Sequence, residues 1–232
     1  MTKFKPKYNR LMLTIVIVGA VVFYSYNKYL QAQYASLYLQ NGNYSVQVGM
    51  QGLYKSTQYD VVMLGNSHIY NANWNELLNR RNIANRGIVG DITTGYLQRL
   101  GYVYGMNPKI CFIEGGVNDV YANYSAGQIF DNYVNIIDTI RSFDIIPVIQ
   151  STMFVAKAWP NSSEKNLEIK KLNALLSEYA SKQSIIFLDI NSLVSANGFL
   201  TDSLTYDGIH LNANGYSFWV PEVEKVLLKN GL

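Results

Sequence analysis

From residue 59 onward the chain alternates short apolar runs with longer stretches of helical period, and no other feature constrains its fold as much. Residues 59–64, 82–85, 109–114, 145–150 and 185–189 read as five strands. They are continuous apolar runs, as expected of strands buried on both faces. Helical segments fall between them, over residues 74–80, 93–104 and 163–182. Another opens at Ser125, where a Ser-x-x-Gln box to Gln128 predicts an N-cap, and runs to Phe143. A last helix starts at Asn212 or Asn214 and ends near Leu228. Strands alternating with helices predict a parallel sheet covered on both faces. No internal repeat or second domain is visible, and 49% hydrophobic residues supply a full core.

The N-terminal quarter has a different character. Residues 11–26 carry no charge, and with Tyr29 and Leu30 the stretch nears the ~20 residues of a membrane helix. Lys3, Lys5, Lys7 and Arg10 precede it and only Lys28 follows, which predicts a cytoplasmic N-terminus. The expected order is a basic tail over 1–10, a transmembrane signal anchor over 11–30, a juxtamembrane connector over 31–57 and a catalytic domain over 58–232. That domain would lie outside the cytoplasm, in a bacterial periplasm or at the cell surface. The alternative is secretion after signal cleavage, for which Leu30-Gln31-Ala32 is a poor site. Without the four basic residues of the tail, 15 Lys and Arg face 16 Asp and Glu, so nucleic acid is not an expected partner. The single Cys111 permits no intrachain disulfide and reads as a buried thiol.

Chemistry concentrates where apolar runs end. Val-Val-Met-Leu-Gly-Asn-Ser-His over residues 61–68 reads as a strand breaking into a turn that presents Ser67. A serine hydroxyl becomes a nucleophile when a base takes its proton. Only two histidines exist, and His210, in Asp-Gly-Ile-His, is the expected base. Asp207 would orient the imidazole. The backbone N–H of Ser67, the backbone N–H of Gly90 and the side-chain amide of Asn118 are the expected oxyanion donors. His68 adjoins the nucleophile, so its side chain diverges from Ser67, and it reads as a pocket wall. Asp119 supports the turn, while Asp91 and Asp189 read as structural. Among Tyr70, Trp74, Tyr121, Tyr124, Trp159 and Tyr206, a sugar-stacking residue is conceivable, with none singled out.

Four blocks in this order resemble the SGNH (GDSL-type) hydrolase superfamily: Leu-Gly-Asn-Ser-His at Ser67, residues 85–93 around Gly90, Gly-Gly-Val-Asn-Asp at Asn118, and Asp-Gly-Ile-His-Leu-Asn at Asp207 and His210. The resemblance implies a three-layer α/β/α sandwich, flavodoxin-like, with a five-stranded parallel sheet. It also implies serine esterase or acyltransferase chemistry with no metal or organic cofactor. The family's usual aspartate before the serine is here Asn66, which with His68 and Asp119 is expected to line the pocket. The expected reaction is hydrolysis of an acyl ester, acetyl foremost, on an extracytoplasmic glycan or cell-envelope substrate. An O-acyltransferase using the same serine and an inactive glycan-binding module are the alternatives.

Overall fold

A computed structural model describes residues 6–39, 42–56 and 58–232, except for the side chains of residues 6–11, 27 and 30–39. Its core is a five-stranded sheet of β1 (Val61–Gly65), β2 (Ile83–Gly87), β3 (Ile110–Glu114), β4 (Ile146–Gln150) and β5 (Ile186–Leu188). All pairings are parallel, in the order β2-β1-β3-β4-β5. In this doubly wound order the chain reverses direction between β1 and β3, which opens a crevice at their carboxyl ends.

Side chains alternate across the sheet as the pleat requires. Val62 and Leu64 of β1 and Cys111 and Ile113 of β3 pack on one face. Val61, Met63, Ile110 and Phe112 pack on the other. The helices follow in chain order as α1 (Pro6–Leu39), α2 (Gly42–Leu53), α3 (Ser67–Tyr70), α4 (Trp74–Leu77), α5 (Thr93–Gln98), α6 (Gly101–Tyr104), α7 (Val117–Tyr121), α8 (Ala126–Arg141), α9 (Ser162–Gln183), α10 (Asn191–Val194) and α11 (Ala213–Lys229). Residues of α5, α6, α8 and α9 cover the first face, and residues of α4, α10 and α11 cover the second. The capping box at Ser125 is present, with Gln128 returning to the Ser125 backbone. Asn212 caps α11, accepting from the Gly215 N–H.

Several boundaries differ from the sequence expectation for physical reasons. The helix expected over 93–104 is two helices, because Arg99 leaves helical geometry at φ −118°. Its guanidinium is drawn instead into the sheet edge. The helix expected over 74–80 ends at Leu77, and Asn79 turns left-handed at φ 48°. Arg86 and Gly87, beyond the strand expected over 82–85, complete β2 by pairing with Leu64 and Gly65. A Cβ on Gly87 would lie 2.2 Å from the Tyr70 nitrogen, so this close strand–helix approach requires glycine. A small hairpin, β6 (Ser195–Ala196) with β7 (Phe199–Leu200), turns through Asn197-Gly198, both at positive φ. Asn-Gly favours that kind of turn.

The connector expected over 31–57 contains the end of α1 and all of α2. Tyr44 of α2 is buried, and its hydroxyl donates to the Gly95 carbonyl at 3.2 Å. Residues 1–5, 40, 41 and 57 lie outside the described residues, and with them part of the expected tail and connector. Among the described residues no helix is long and apolar enough to cross a membrane.

Candidate active site

β1 delivers Ser67. The strand ends at Gly65, Asn66 caps α3 by accepting from the His68 N–H at 2.9 Å, and Ser67 opens the helix. As the first helical residue, Ser67 has an N–H with no intrahelical acceptor. Asn66, Ser67 and His68 are all buried. The turn lies against neighbouring backbone, because a Cβ on Gly65 would meet Ile69 Cγ1 at 2.3 Å and the Glu114 carbonyl at 2.7 Å.

His210 comes from the loop before α11. Its Nε2 lies 2.9 Å from Ser67 Oγ and its Nδ1 lies 2.6 Å from Asp207 Oδ2. Asp207 Oδ1 also accepts from the N–H groups of Ile209 and His210, at 3.0 and 2.8 Å. Partial burial works against its charge, but the His210 ring and these two amides hold the Asp207 carboxyl below its ordinary range. Thr205 Oγ1 donates to the His210 carbonyl at 2.6 Å, and Tyr206 stacks on the His210 ring at 5.7 Å. The loop joins the rest of the fold through the Gly208 carbonyl, which accepts from the Ala156 N–H at 2.7 Å.

The other two predicted donors sit beside one another. Gly90 adopts φ 75°, and the Asn118 amide donates to the carbonyl of Asp91, next to Gly90, at 2.9 Å. Asp119 is buried behind them and accepts from the Thr93 N–H at 3.0 Å and from the Thr93 hydroxyl. Burial pushes its carboxyl up to about 7. Asp189 is placed at a different site, next to α10, where its carbonyl accepts from the Ser192 hydroxyl.

Two buried charged groups were not singled out in the sequence. Arg99 is 1% exposed and fastens the site from below. It donates to Asp91 Oδ2 at 2.8 Å, to the Arg86 carbonyl at 2.8 Å and to the Gly65 carbonyl at 3.0 Å. Burial raises Asp91 to about 6 against the pull of this cation. Nothing in the helical stretch around Arg99 announced that role. Glu114, the last residue of β3, is fully buried, and its Oε2 lies 3.7 Å from His68 Nδ1. A carboxylate terminating an apolar strand was the available signal. His68 Nε2 in turn lies 2.9 Å from the Ile209 carbonyl. His68 therefore bridges β3 and the His210 loop.

Comparison with known proteins bears on the fold and the family. The sequence is 29% identical over 138 residues to the N-acylneuraminate cytidylyltransferase of Streptococcus agalactiae serotype V, a match covering 55% of this chain and 32% of that protein. The chain thus spans about a third of the length of the curated relatives it matches. A GDSL-like lipase from Bacteroides thetaiotaomicron superposes with a TM-score of 0.70 at 23% identity, covering 81% of this chain and 98% of that one. The lipase/acylhydrolase from Enterococcus faecalis superposes at 0.64 and 20% identity, covering 73% and 95%. These likenesses concern the fold. The family model of GDSL-like lipases and acylhydrolases matches residues 61–218, from the first residue of β1 into α11. By that match this chain belongs to the GDSL-like lipase/acylhydrolase family.

Proposed function

We propose that Ser67, His210 and Asp207 are the triad of a serine esterase that removes a short acyl group, acetyl foremost, from an extracytoplasmic glycan or cell-envelope ester. The hydrogen-bonded chain from Asp207 through His210 to Ser67 carries the proposal. In this mechanism the neutral His210 accepts the Ser67 proton at Nε2 as Oγ attacks the ester carbonyl. The Nδ1–H donates to Asp207, which stabilises the imidazolium. Backbone N–H groups of Ser67 and Gly90 and the second amide hydrogen of Asn118 receive the oxyanion. The imidazolium then protonates the leaving sugar hydroxyl, and water activated by His210 releases the acid.

Two observations support a sugar ester. Tyr206 is 65% exposed beside the catalytic histidine, a ring on which a sugar face can rest. The curated relatives are named for a reaction on an N-acylated sugar acid. The His210 and Asp207 side chains are 23% and 32% exposed, which leaves an acyl-enzyme open to water and favours hydrolysis over transfer. The direct test is acetate release from an O-acetylated N-acylneuraminate and from acetylated envelope glycans. Ser67-dependent release is expected. No release from these esters or from p-nitrophenyl acetate would overturn the esterase reading.

We also propose that residues 11–30 anchor the chain in a membrane with the domain outside. The side chains of Met12, Ile15, Val16, Ile17, Val18 and Phe23 are more than half exposed, an apolar surface that lipid would cover. The full chain should then sediment with membranes and need detergent for release, and a chain starting at Gln33 should not. Equal partitioning of the two would contradict the anchor.

A further inference from the structure

His68 has no step in the chemistry above, yet it is fully buried and built into the site more firmly than His210. The two histidines act on the same two dipeptides. Ser67–His68 and Ile209–His210 face each other across more than 140 positions of sequence. Two hydrogen bonds of 2.9 Å join them like rungs. One runs from Ser67 Oγ to His210 Nε2, and the other from His68 Nε2 to the Ile209 carbonyl. We propose that His68, ion-paired to Glu114, is the positioning residue that clamps the catalytic loop through the Ile209 carbonyl and so holds His210 in reach of Ser67. This inference rests on the triad reading above.

The first rung cannot hold the loop by itself. It is the bond through which the proton leaves Ser67, so it is broken and remade in each turnover. Most other contacts of the loop are internal to it, from Asp207 to the Ile209 and His210 amides and from Thr205 to the His210 carbonyl. A base that drifts by about 1 Å loses on the order of 100-fold in rate.

The charge on His68 follows from its two neighbours. Nε2 must carry a hydrogen to bond the Ile209 carbonyl. Nδ1 faces the Glu114 carboxylate at 3.7 Å, and neither Glu114 oxygen has a hydrogen-bond partner among the described residues. A neutral imidazole has one N–H, which Glu114 would draw to Nδ1, leaving the Nε2 lone pair against a carbonyl oxygen. Both neighbours are served when the His68–Glu114 pair holds one more proton, which keeps the N–H at Nε2 for Ile209. Besides Glu114 from β3, the titratable groups facing His68 are Asp207 and His210 from the loop and Tyr216 from α11, whose hydroxyl donates to the His68 carbonyl. Burial acts to lower the His68 pKa, but Glu114, the Ile209 carbonyl and Asp207 together raise it above the ordinary histidine value. The clamp therefore stays closed to higher pH than an ordinary histidine would allow, and opens as pH rises through the His68 titration.

The test uses the full chain in detergent. With only two histidines present, imidazole NMR follows both titrations, assigned by His210→Ala. In Glu114→Gln, His68 should titrate lower, and the alkaline limb of kcat for p-nitrophenyl acetate should move with it while KM stays constant. His68→Phe should lose ten- to a hundredfold in kcat, and His68→Gln, which restores an N–H for Ile209, should recover part of that loss without the alkaline limb. Folding is checked by cooperative melting. If His68→Phe does not fold, the other two variants decide. A His68 titration unmoved by Glu114→Gln overturns the clamp, as does a folded His68→Phe with the parent's kcat and pH profile. Turnover that survives Ser67→Ala would instead sink the triad reading. The clamp is then judged by NMR alone, and fails if His210 resonances are unchanged in a folded His68→Phe or if the His68 titration is unmoved by Glu114→Gln.

Discussion

The two halves of the site are built by different means. The nucleophile half sits on the sheet edge with almost nothing exposed, because Asn66, Ser67, His68, Arg99 and Glu114 are all buried. Its geometry is set by core packing, by glycines that admit close backbone approach and by a guanidinium shared among three acceptors. The half proposed to supply the base is a partly exposed loop ordered by short-range hydrogen bonds and tied down at Gly208 and Ile209. In the first half, stability and activity are one property. In the second they separate, so substitutions should divide along the same line.

The largest separation is expected in Asp207→Asn. The substitution leaves the loop close to its shape but offers Nδ1 the wrong partner, so kcat should fall on the order of 10⁴-fold. Thermal melting should barely change, since Asp207 is an exposed residue with local partners. A large loss of stability would show that the loop is not the independent half described here.

Arg99→Met probes the opposite half. It strands the buried Asp91 carboxylate and the Arg86 and Gly65 carbonyls, and should cost about 3–5 kcal/mol by chemical denaturation together with most of the activity. Activity lost at full stability would place Arg99 in the chemistry instead of the scaffold.

Gly208→Ala tests the tie between halves. Gly208 has φ 97°, and a Cβ there would come within 3.2 Å of Trp159. Strain of about 1–3 kcal/mol is expected, with kcat falling more than kcat of a comparable surface variant and KM little changed. An unaltered kcat would mean that the loop tolerates displacement.

The smallest effect concerns pH. Asp119 titrates near 3.8 when unfolded and at about 7 in the folded chain, where burial disfavours its charge. The folded state thus binds the extra proton between those values, and stability from this group is full below about pH 4 and lost as pH rises through about 7. Melting temperature measured against pH should fall less steeply over that window in Asp119→Asn. Identical slopes would remove Asp119 from the pH response.

What could be read from the sequence divides in a similar way. The five strands and the carboxyl-end placement of Ser67, Gly90 and Asn118 were legible, because buried parallel strands write continuous apolar runs and ligand loops follow them. The break at Arg99 was not, because a helical period does not record where one long side chain will find three buried acceptors. The turn at Asn197-Gly198 was legible in principle, but its flanking strands are two residues each, too short to show an alternating pattern. His68 was placed beside the pocket, but its partners Glu114 and Ile209 lie 46 and 141 positions away, and only the fold joins them.

The central claim is that Ser67 becomes acylated with His210 as its base. The most direct measurement is an acid quench of the full chain during turnover of p-nitrophenyl acetate, followed by mass analysis of the peptide containing Ser67. One acetyl group on Ser67 in the parent, absent in Ser67→Ala and strongly delayed in His210→Ala, is the predicted result. Product formed with no acyl group trapped on Ser67, or at the same rate in His210→Ala, would contradict it.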